Sequence, residues 1–253
     1  MIKVVLLGSG NVAYHLALAL KSADNVEIIQ RYSRNAIDND YFDPALPCTN
    51  SLTDLKEADV YIIAVKDEVI GSFSESLSGL KGLVVHTSGS IPLKSLHKDL
   101  RKGVLYPVQS LTINQAINFK EIPLAVESEK DQDFDLLYEL ASALSDKVYK
   151  VNSKEREKLH ISAVFANNFS NYMFTCAEAL CVEHNISFDI LKPMIFETVK
   201  KLQYLDPLLA QTGPARRNDQ AIIKKHVETL AGDKKKIYKI VSEAITNTYQ
   251  IKK

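Results

Sequence analysis

The first part of the chain alternates short apolar runs with amphipathic segments. The run at residues 2–7 (IKVVLL) stops at a glycine-containing segment and continues into an apolar pattern with helical spacing. Residues 59–65 form an almost continuous apolar run, as expected of a strand buried on both faces of a parallel sheet. Further strands are predicted at residues 26–31, 47–49, 82–86, 103–111, 122–126 and 148–151. Strands that alternate with helices predict an α/β fold with a Rossmann-type, doubly wound, mainly parallel sheet.

The pattern changes near residue 151. Asn152 and Glu155 have the spacing of a helix start in which each side chain caps the backbone of the other. Helical spacing then continues to about residue 183 without glycine or proline, and no strand pattern follows residue 151. We therefore predict an α/β domain over residues 1–151 and an all-α domain over residues 152–253. The motifs described below assign the first to dinucleotide binding and the second to substrate binding and dimerisation. Further helices are predicted at residues 189–202, 219–231 and 234–249.

The segment Gly8-Ser9-Gly10-Asn11-Val12-Ala13 lies between the first predicted strand and the first predicted helix. In that context, glycines allow a tight turn and a close approach of the backbone to a pyrophosphate. The helix N-terminus adds free N–H groups and a positive dipole end. We predict that residues 8–12 bind a dinucleotide; a strand-to-helix turn with no ligand is the alternative.

Ser33 and Arg34 follow the second predicted strand, where NAD-specific sites usually carry an acidic residue for the ribose 2′-hydroxyl. A guanidinium donates two charge-assisted hydrogen bonds to a phosphate, so this pair favours NADP. The alternative is an exposed loop arginine that binds nothing.

Two more strand ends carry polar residues. Ala64, Val65 and Lys66 end one strand, and the segment His86-Thr87-Ser88-Gly89-Ser90 follows the next. Ligands of open parallel sheets lie beyond the carboxyl ends of the strands, so these ends and the glycine segment are expected to line one crevice. We predict that Ala64, Val65, Lys66 and Thr87 contact the cofactor and that Ser88 orients the substrate. His86 is a candidate proton-transfer group, because imidazole titrates near neutral pH.

The predicted long helix carries His160, Asn167 and Asn171 at a spacing that places them on one face of a regular α-helix, with Asn168 one position away. Their neighbours are largely apolar, and asparagine is disfavoured inside helices. His160 is the second proton-transfer candidate and Asn167 a second candidate for orienting the substrate. Asn168 and Asn171 are candidate substrate contacts. A polar seam against loop backbone or solvent accounts for the same pattern equally well.

The segment at residues 211–219 (QTGPARRND) combines a Gly-Pro turn with two arginines before a predicted helix. It predicts either a lid or anion clamp, in which Arg216 binds a substrate carboxylate or phosphate, or an inter-helix loop with solvated arginines.

Composition excludes several classes of function. The chain has 31 Lys+Arg and 31 Asp+Glu among its 253 residues, so its net charge gives no indication of a nucleic-acid or anionic-membrane partner. Its three cysteines form no metal-binding spacing, so no metal site is predicted. No apolar run reaches the ~18 residues of a membrane span, and the N-terminus has the pattern of a strand rather than of a signal peptide. We expect a cytoplasmic protein.

Taken together, these motifs resemble a group of bacterial NADP oxidoreductases in which a Rossmann-like domain precedes a helical domain of unknown function. The group is related to pyrroline-5-carboxylate reductase and, more distantly, to the 6-phosphogluconate and β-hydroxyacid dehydrogenases. The resemblance covers nearly the whole chain and implies NADP-dependent hydride transfer without naming a substrate. It rests on the glycine segment, Ser33-Arg34, Ala64-Val65-Lys66-Asp67, His86–Ser90, Tyr106-Pro107-Val108-Gln109-Ser110, Asn167-Asn168-Phe169 and residues 211–216.

One departure from the wider group limits the mechanism. The β-hydroxyacid dehydrogenases carry a catalytic lysine four residues before an asparagine, where this chain has Ala163 and Val164. That lysine mechanism therefore does not transfer. We expect an NADP-dependent oxidoreductase that acts on a small C=O or C=N substrate with His160 or His86 as the acid–base group. A hydroxy-acid dehydrogenase and a non-catalytic NADP-binding sensor or scaffold are the alternatives.

The helical domain is expected to form a homodimer. Its roughly 100 residues are few for an isolated core. The apolar residues Phe165, Phe169, Met173 and Phe174 cover more than one helical face, so a second subunit is expected to cover some of them.

Overall fold

The computed structural model describes residues 1–35 and 41–250, and the first part of the chain forms one eight-stranded sheet. The strands are β1 (Ile2–Leu7), β2 (Val26–Tyr32), β3 (Cys48–Thr49), β4 (Val60–Ile63), β5 (Leu83–His86), β6 (Arg101–Pro107), β7 (Leu124–Ser128) and β8 (Val148–Lys150). Their order in the sheet is β3-β2-β1-β4-β5-β6-β7-β8, and only the β6–β7 pair is antiparallel. The strand order reverses at β1, as in doubly wound folds. The predicted α/β, mainly parallel sheet is confirmed.

Helices alternate with the strands in the first part of the described chain and continue after β8. The first helices are α1 (Asn11–Ser22), α2 (Ile70–Glu75) and α3 (Asp131–Leu144). After β8 come α4 (Ser153–Ala163), a π-helical segment (Val164–Phe169), α5 (Ser170–Glu183), α6 (Lys192–Lys201), α7 (Pro207–Ala210), α8 (Gln220–Thr229) and α9 (Gly232–Gln250). The predicted helix start at Asn152 is confirmed, because its side chain accepts the N–H groups of Lys154 and Glu155 at 3.0 Å. In the described ranges, no strand follows Lys150.

Apolar layers cover both faces of the sheet. On one face, Val4 and Leu6 of β1 pack in a cluster with Leu16 of α1. On the other face, Val5 and Leu7 belong to a second cluster. Burial on both faces explains why the strands are continuous apolar runs rather than alternating ones.

The chain divides into two compact units, Met1–Asn168 and a second unit that begins at Phe169. The sequence-based boundary after residue 151 marks the end of the strands, whereas α4 belongs to the unit that contains the sheet. Its Arg156 is fully buried and bonds to backbone between residues 88 and 91. None of the described helices is both long and apolar enough to cross a membrane.

The second unit has almost no enclosed core of its own. Within its described residues only Cys181, Ala215 and Ser242 are buried. Large apolar side chains are instead exposed, including Ile190 at 69% and Phe196 at 70%. The second unit therefore leaves a large apolar surface in contact with water.

Gly8 fixes the turn between β1 and α1. Its φ of +145° lies in the region that L side chains rarely adopt, and a Cβ built on it would lie 2.1 Å from the carbonyl oxygen of Ala64. A side chain at this position would therefore force apart the ends of β1 and β4. Gly10 differs, since a Cβ there would meet no described atom within 4 Å.

Gly8→Ala is expected to destabilise the fold by at least about 2 kcal/mol, because the strained φ and the backbone clash add. The measurement is urea unfolding of the purified variant. Gly10→Ala is the matched control and is expected to cost about 1 kcal/mol or less, the difference between these residues at a helix N-cap. Equal stability of the two variants would show that the turn relaxes freely.

Candidate functional site

A crevice of about 880 Å³ lies at the carboxyl ends of the central strands. It contains every predicted cofactor contact, together with Ser88 and His160. The expected convergence of strand ends is therefore present. The residues around it are Gly8, Ser9, Gly10, Asn11, Val12, Tyr32, Ser33, Arg34, Ala64, Val65, Lys66, Asp67, Glu68, Val69, Ser72, Phe73, Ser76, Thr87, Ser88, Gly89 and His160.

The N-terminus of α1 opens onto this crevice without a competing side chain. Gly10 is the N-cap residue, no side chain caps the helix, and its first turn contains no acidic residue. The missing Cβ of Gly10 leaves space on the crevice side of the turn. Free backbone N–H groups, a positive dipole end and close access to the backbone are what a phosphate requires.

The end of β2 lines the same crevice with aromatic and basic groups. Ser33 is buried and Arg34 is exposed. The ring of Tyr32 lies 5.7 Å from that of Phe73, and both residues border the crevice. An exposed guanidinium beside a hydroxyl is able to receive a phosphate group, and the neighbouring rings offer an apolar surface to a planar base.

The loop after β5 is shaped by the side chain of Ser88. Its hydroxyl donates to Asp67 Oδ2 at 2.8 Å and accepts the N–H groups of Ser90 and Ile91 at 3.1 Å each. A hydroxyl has one donor and two acceptor positions, so all three are engaged within the protein. The structure thus shows Ser88 shaping the loop, and its role in orienting substrate stays a prediction.

The side chain of Arg156, in α4, binds the backbone of this loop. Its Nη1 donates to the carbonyl oxygens of Ser88, Gly89 and Ile91 at 3.0, 3.2 and 2.8 Å. Its Nη2 forms an ion pair with Glu127 of β7 at 2.9 Å. A buried charge needs such partners, because an isolated one is costly to remove from water. The ion pair and the three carbonyl contacts therefore join α4 to the sheet.

His86 lies inside the core rather than in the crevice. Its side chain is fully buried, and Nδ1 accepts the N–H of Ser88 at 3.2 Å. Burial, followed by the positive charge of Arg156, lowers the pKa of His86 to about 3. The ring is therefore neutral at physiological pH. Its Nε2 has no hydrogen-bond partner among the described residues. These features favour His160 over His86 as a proton donor.

His160 is half-buried and borders the crevice. Its Nδ1 lies 3.0 Å from the hydroxyl of Tyr106, and the two rings meet edge to face at 5.8 Å. Gly89 packs against both rings, since a Cβ there would lie 2.6 Å from His160 Nδ1 and 2.7 Å from Tyr106 Cζ. The structure thus brings one titratable side chain of α4 to the cofactor crevice.

The asparagines do not follow the spacing expected of a regular helix. Asn167 and Asn168 lie in the π-helical segment and are exposed, as is Asn171 in α5. A π-helical turn inserts extra residues, so the rule that placed His160, Asn167 and Asn171 on one face does not apply. Exposure to solvent also means that these amides need no buried partner.

Arg216 belongs to the second unit and is bonded within its own loop. Its Nη1 donates to the carbonyl oxygen of Gln211 at 2.6 Å, and its guanidinium lies 5.4 Å from the ring centre of Tyr249. Its predicted contact with substrate remains a prediction.

Four residues that shape the site were missed as functional candidates: Arg156, Tyr106, Asp67 and Gly89. Tyr106, Asp67 and Gly89 occur in motifs noted for the family resemblance, which was the available signal. Arg156 had none, because an arginine one turn into a helix looks like an ordinary surface residue until its burial is known.

Comparison with known proteins supports the fold and identifies the family. Residues 122–245 match a domain of unknown function, DUF2520. No curated protein sequence matches the chain. Pyrroline carboxylate reductase from Plasmodium falciparum, with NADP bound, is 13% identical with a TM-score of 0.62 over 97% of this chain and 98% of that one. The 1-pyrroline-5-carboxylate reductase of Streptococcus pyogenes is 13% identical, with a TM-score of 0.64 over the same shares. At such identities the likeness concerns the fold alone.

A nearer relative is a putative NADP oxidoreductase from Bacteroides fragilis. It is 34% identical, with a TM-score of 0.87 over 97% of this chain and 98% of that chain. With that identity over nearly the whole of both chains, the protein belongs to the same family as this Bacteroides fragilis protein.

Proposed function

We propose that the protein is an NADP-dependent oxidoreductase that moves hydride between the nicotinamide and a small C=O or C=N substrate. One observation carries the proposal: a single crevice joins the uncapped N-terminus of α1, Arg34 and His160. The names of the Bacteroides fragilis relative and of the more distant reductases support the same reaction class.

The residues of the crevice fit the cofactor. The pyrophosphate would lie on the N–H groups that follow Gly10, and the 2′-phosphate on Ser33 and Arg34. Lys66 and Thr87 would border the remainder of the dinucleotide. When bound, NADPH supplies the hydride, and the protein orients it and provides the proton.

His160 would supply that proton. It is partly open to the crevice, and imidazole changes charge near neutral pH. His86 is a poorer candidate, because its ring is enclosed in the core, does not border the crevice, and is not protonated to the acidic imidazolium at neutral pH. In this proposal the cofactor-binding and proton-transfer residues belong to one unit of the chain, residues 1–168.

The second unit would form a homodimer with its counterpart. Its exposed apolar side chains include Val182, Ile190, Phe196 and Val199, and water solvates such side chains poorly. Obligate homodimer interfaces have this apolar character. A second copy of the same unit is the occupant we propose.

Arg34→Ala is expected to weaken NADPH binding by roughly 10- to 150-fold while NADH binding changes little, because one charge-assisted contact is worth about 1.5–3 kcal/mol. Calorimetric titration of both cofactors measures the difference. Lys98→Ala, which removes an exposed cation that does not border the crevice, is the matched control. Equal affinities of the native protein for NADPH and NADH would contradict the assignment.

His160→Ala is expected to lower turnover about 10²- to 10⁴-fold, the usual worth of general acid catalysis, while NADPH affinity barely changes. The substrate for this assay comes from a screen of imines and 2-oxo acids that follows NADPH absorbance. His97→Ala is the control, since His97 does not border the crevice. NADPH binding without turnover on any of these substrates would favour the sensor alternative. Turnover on 2-oxo acids but on none of the imines would favour the hydroxy-acid dehydrogenase.

The native protein is expected to be a dimer at micromolar concentration, with twice the chain mass of 28.3 kDa by light scattering. Phe196→Glu would place a charge in the proposed interface and is expected to weaken the dimer at least about 10-fold. Tyr138→Glu, on an exposed position of α3 in the first unit, is the control. A monomeric native protein would exclude the dimer.

A further inference from the structure

Tyr106, near the end of β6, lies next to His160. It is 9% exposed and does not border the crevice, yet its hydroxyl lies 3.0 Å from His160 Nδ1. We propose that Tyr106 is a positioning residue that orients His160 and keeps a proton on Nε2, the nitrogen left for the crevice. The inference deepens the proposed function, on which it rests for the role of His160.

The direction of the hydrogen bond follows from the chemistry of the phenol. Burial raises the pKa of the Tyr106 hydroxyl, so it stays protonated at neutral pH. Beside a neutral imidazole, it donates to Nδ1, and the single ring proton then lies on Nε2. Among the described residues, Nε2 of His160 has no hydrogen-bond partner. The N–H donor at Nε2 of His160 is therefore available to a ligand.

The same hydroxyl also suits the protonated ring. An imidazolium carries a proton on each nitrogen, so Nδ1–H donates to the Tyr106 oxygen while Nε2–H remains available to a ligand. As hydride with its electron pair adds to the carbon of C=O or C=N, the oxygen or nitrogen takes the Nε2 proton. His160 is left neutral, with its proton on Nδ1 and accepted by Tyr106. Charge and protons balance with NADPH as the only reductant.

The contact between the two rings depends on a glycine. A side chain at Gly89 would lie 2.6 Å from His160 Nδ1 and 2.7 Å from Tyr106 Cζ, and would separate the two. The carbonyl of Gly89 is held by Arg156, one helical turn before His160. The loop, the phenol and the imidazole thus form one rigid group.

The arrangement selects a class of substrate. A neutral His160 with its proton on Nε2 is a donor, which matches the lone pair of a carbonyl oxygen or an imine nitrogen. The neutral ring therefore suits a substrate whose reacting group accepts a hydrogen bond.

The tautomer of His160 tests this without any substrate. Long-range ¹H–¹⁵N correlation spectra of ring-labelled protein at about pH 9, above the usual imidazole range, distinguish the two neutral forms. The His160→Gln spectrum identifies the His160 signals. We expect only the Nε2–H form in the native protein and a measurable Nδ1–H fraction in Tyr106→Phe. A native ring with its proton on Nδ1, or spectra unchanged in Tyr106→Phe, would overturn the inference.

Turnover provides the second measurement. Tyr106→Phe is expected to lower kcat about 3- to 10-fold, the worth of one neutral hydrogen bond, with unchanged NADPH affinity. In a His160→Gln background the same substitution should have no further effect, because Tyr106 acts through His160. Tyr61→Phe is the matched control, a buried tyrosine that bonds backbone at residues 56 and 58 away from the crevice.

The outcomes separate the two proposals. Independent effects of Tyr106→Phe and His160→Gln would show that Tyr106 acts on its own and would overturn the positioning role. The expected tautomer in a protein without turnover on any substrate would instead contradict the proposed function. In that case His160 would be a pre-oriented hydrogen-bond donor to a bound ligand only.

Discussion

The buried guanidinium of Arg156 joins helix α4 to strand β7 and to the loop after β5. Arg156 is fully enclosed, so its charge must be matched by oxygens from the protein, and three backbone carbonyls and Glu127 provide them. Removing one partner of a buried pair typically costs about 3–5 kcal/mol, because a charge is then left unmatched. The helix α4 and the loop after β5 are consequently fixed to each other, and His160, four residues on, is carried to the edge of the crevice.

The turn after β1 and the loop after β5 differ in whether their polar groups are available to a ligand. The turn after β1 leaves backbone N–H groups unused by any side chain, which is suited to an anion. The loop after β5 is the opposite case, because the Ser88 hydroxyl is fully engaged in shaping it. The turn after β1 is open to a ligand, whereas the loop after β5 is held by its own hydrogen bonds and packs against His160.

The two units differ in how many of their apolar side chains are buried. The first buries apolar residues on both faces of its sheet. The second keeps only three of its described residues buried and exposes large apolar side chains. This contrast is the observation behind our proposal that a second copy covers the apolar surface of the helical unit.

Local pattern in the sequence was sufficient for the sheet, the glycine turn and the helix start at Asn152. These features depend on residues that are neighbours along the chain: apolar runs of strand length, a positive φ at Gly8, and side chains three residues apart. The cofactor crevice also followed, because parallel strand ends must meet at one edge. Tertiary structure decided the rest. The burial that leaves His86 neutral, the partners of Arg156 and the pairing of Tyr106 with His160 all join residues distant in sequence. No local pattern encodes them, since burial and partner choice arise only when separate elements pack together.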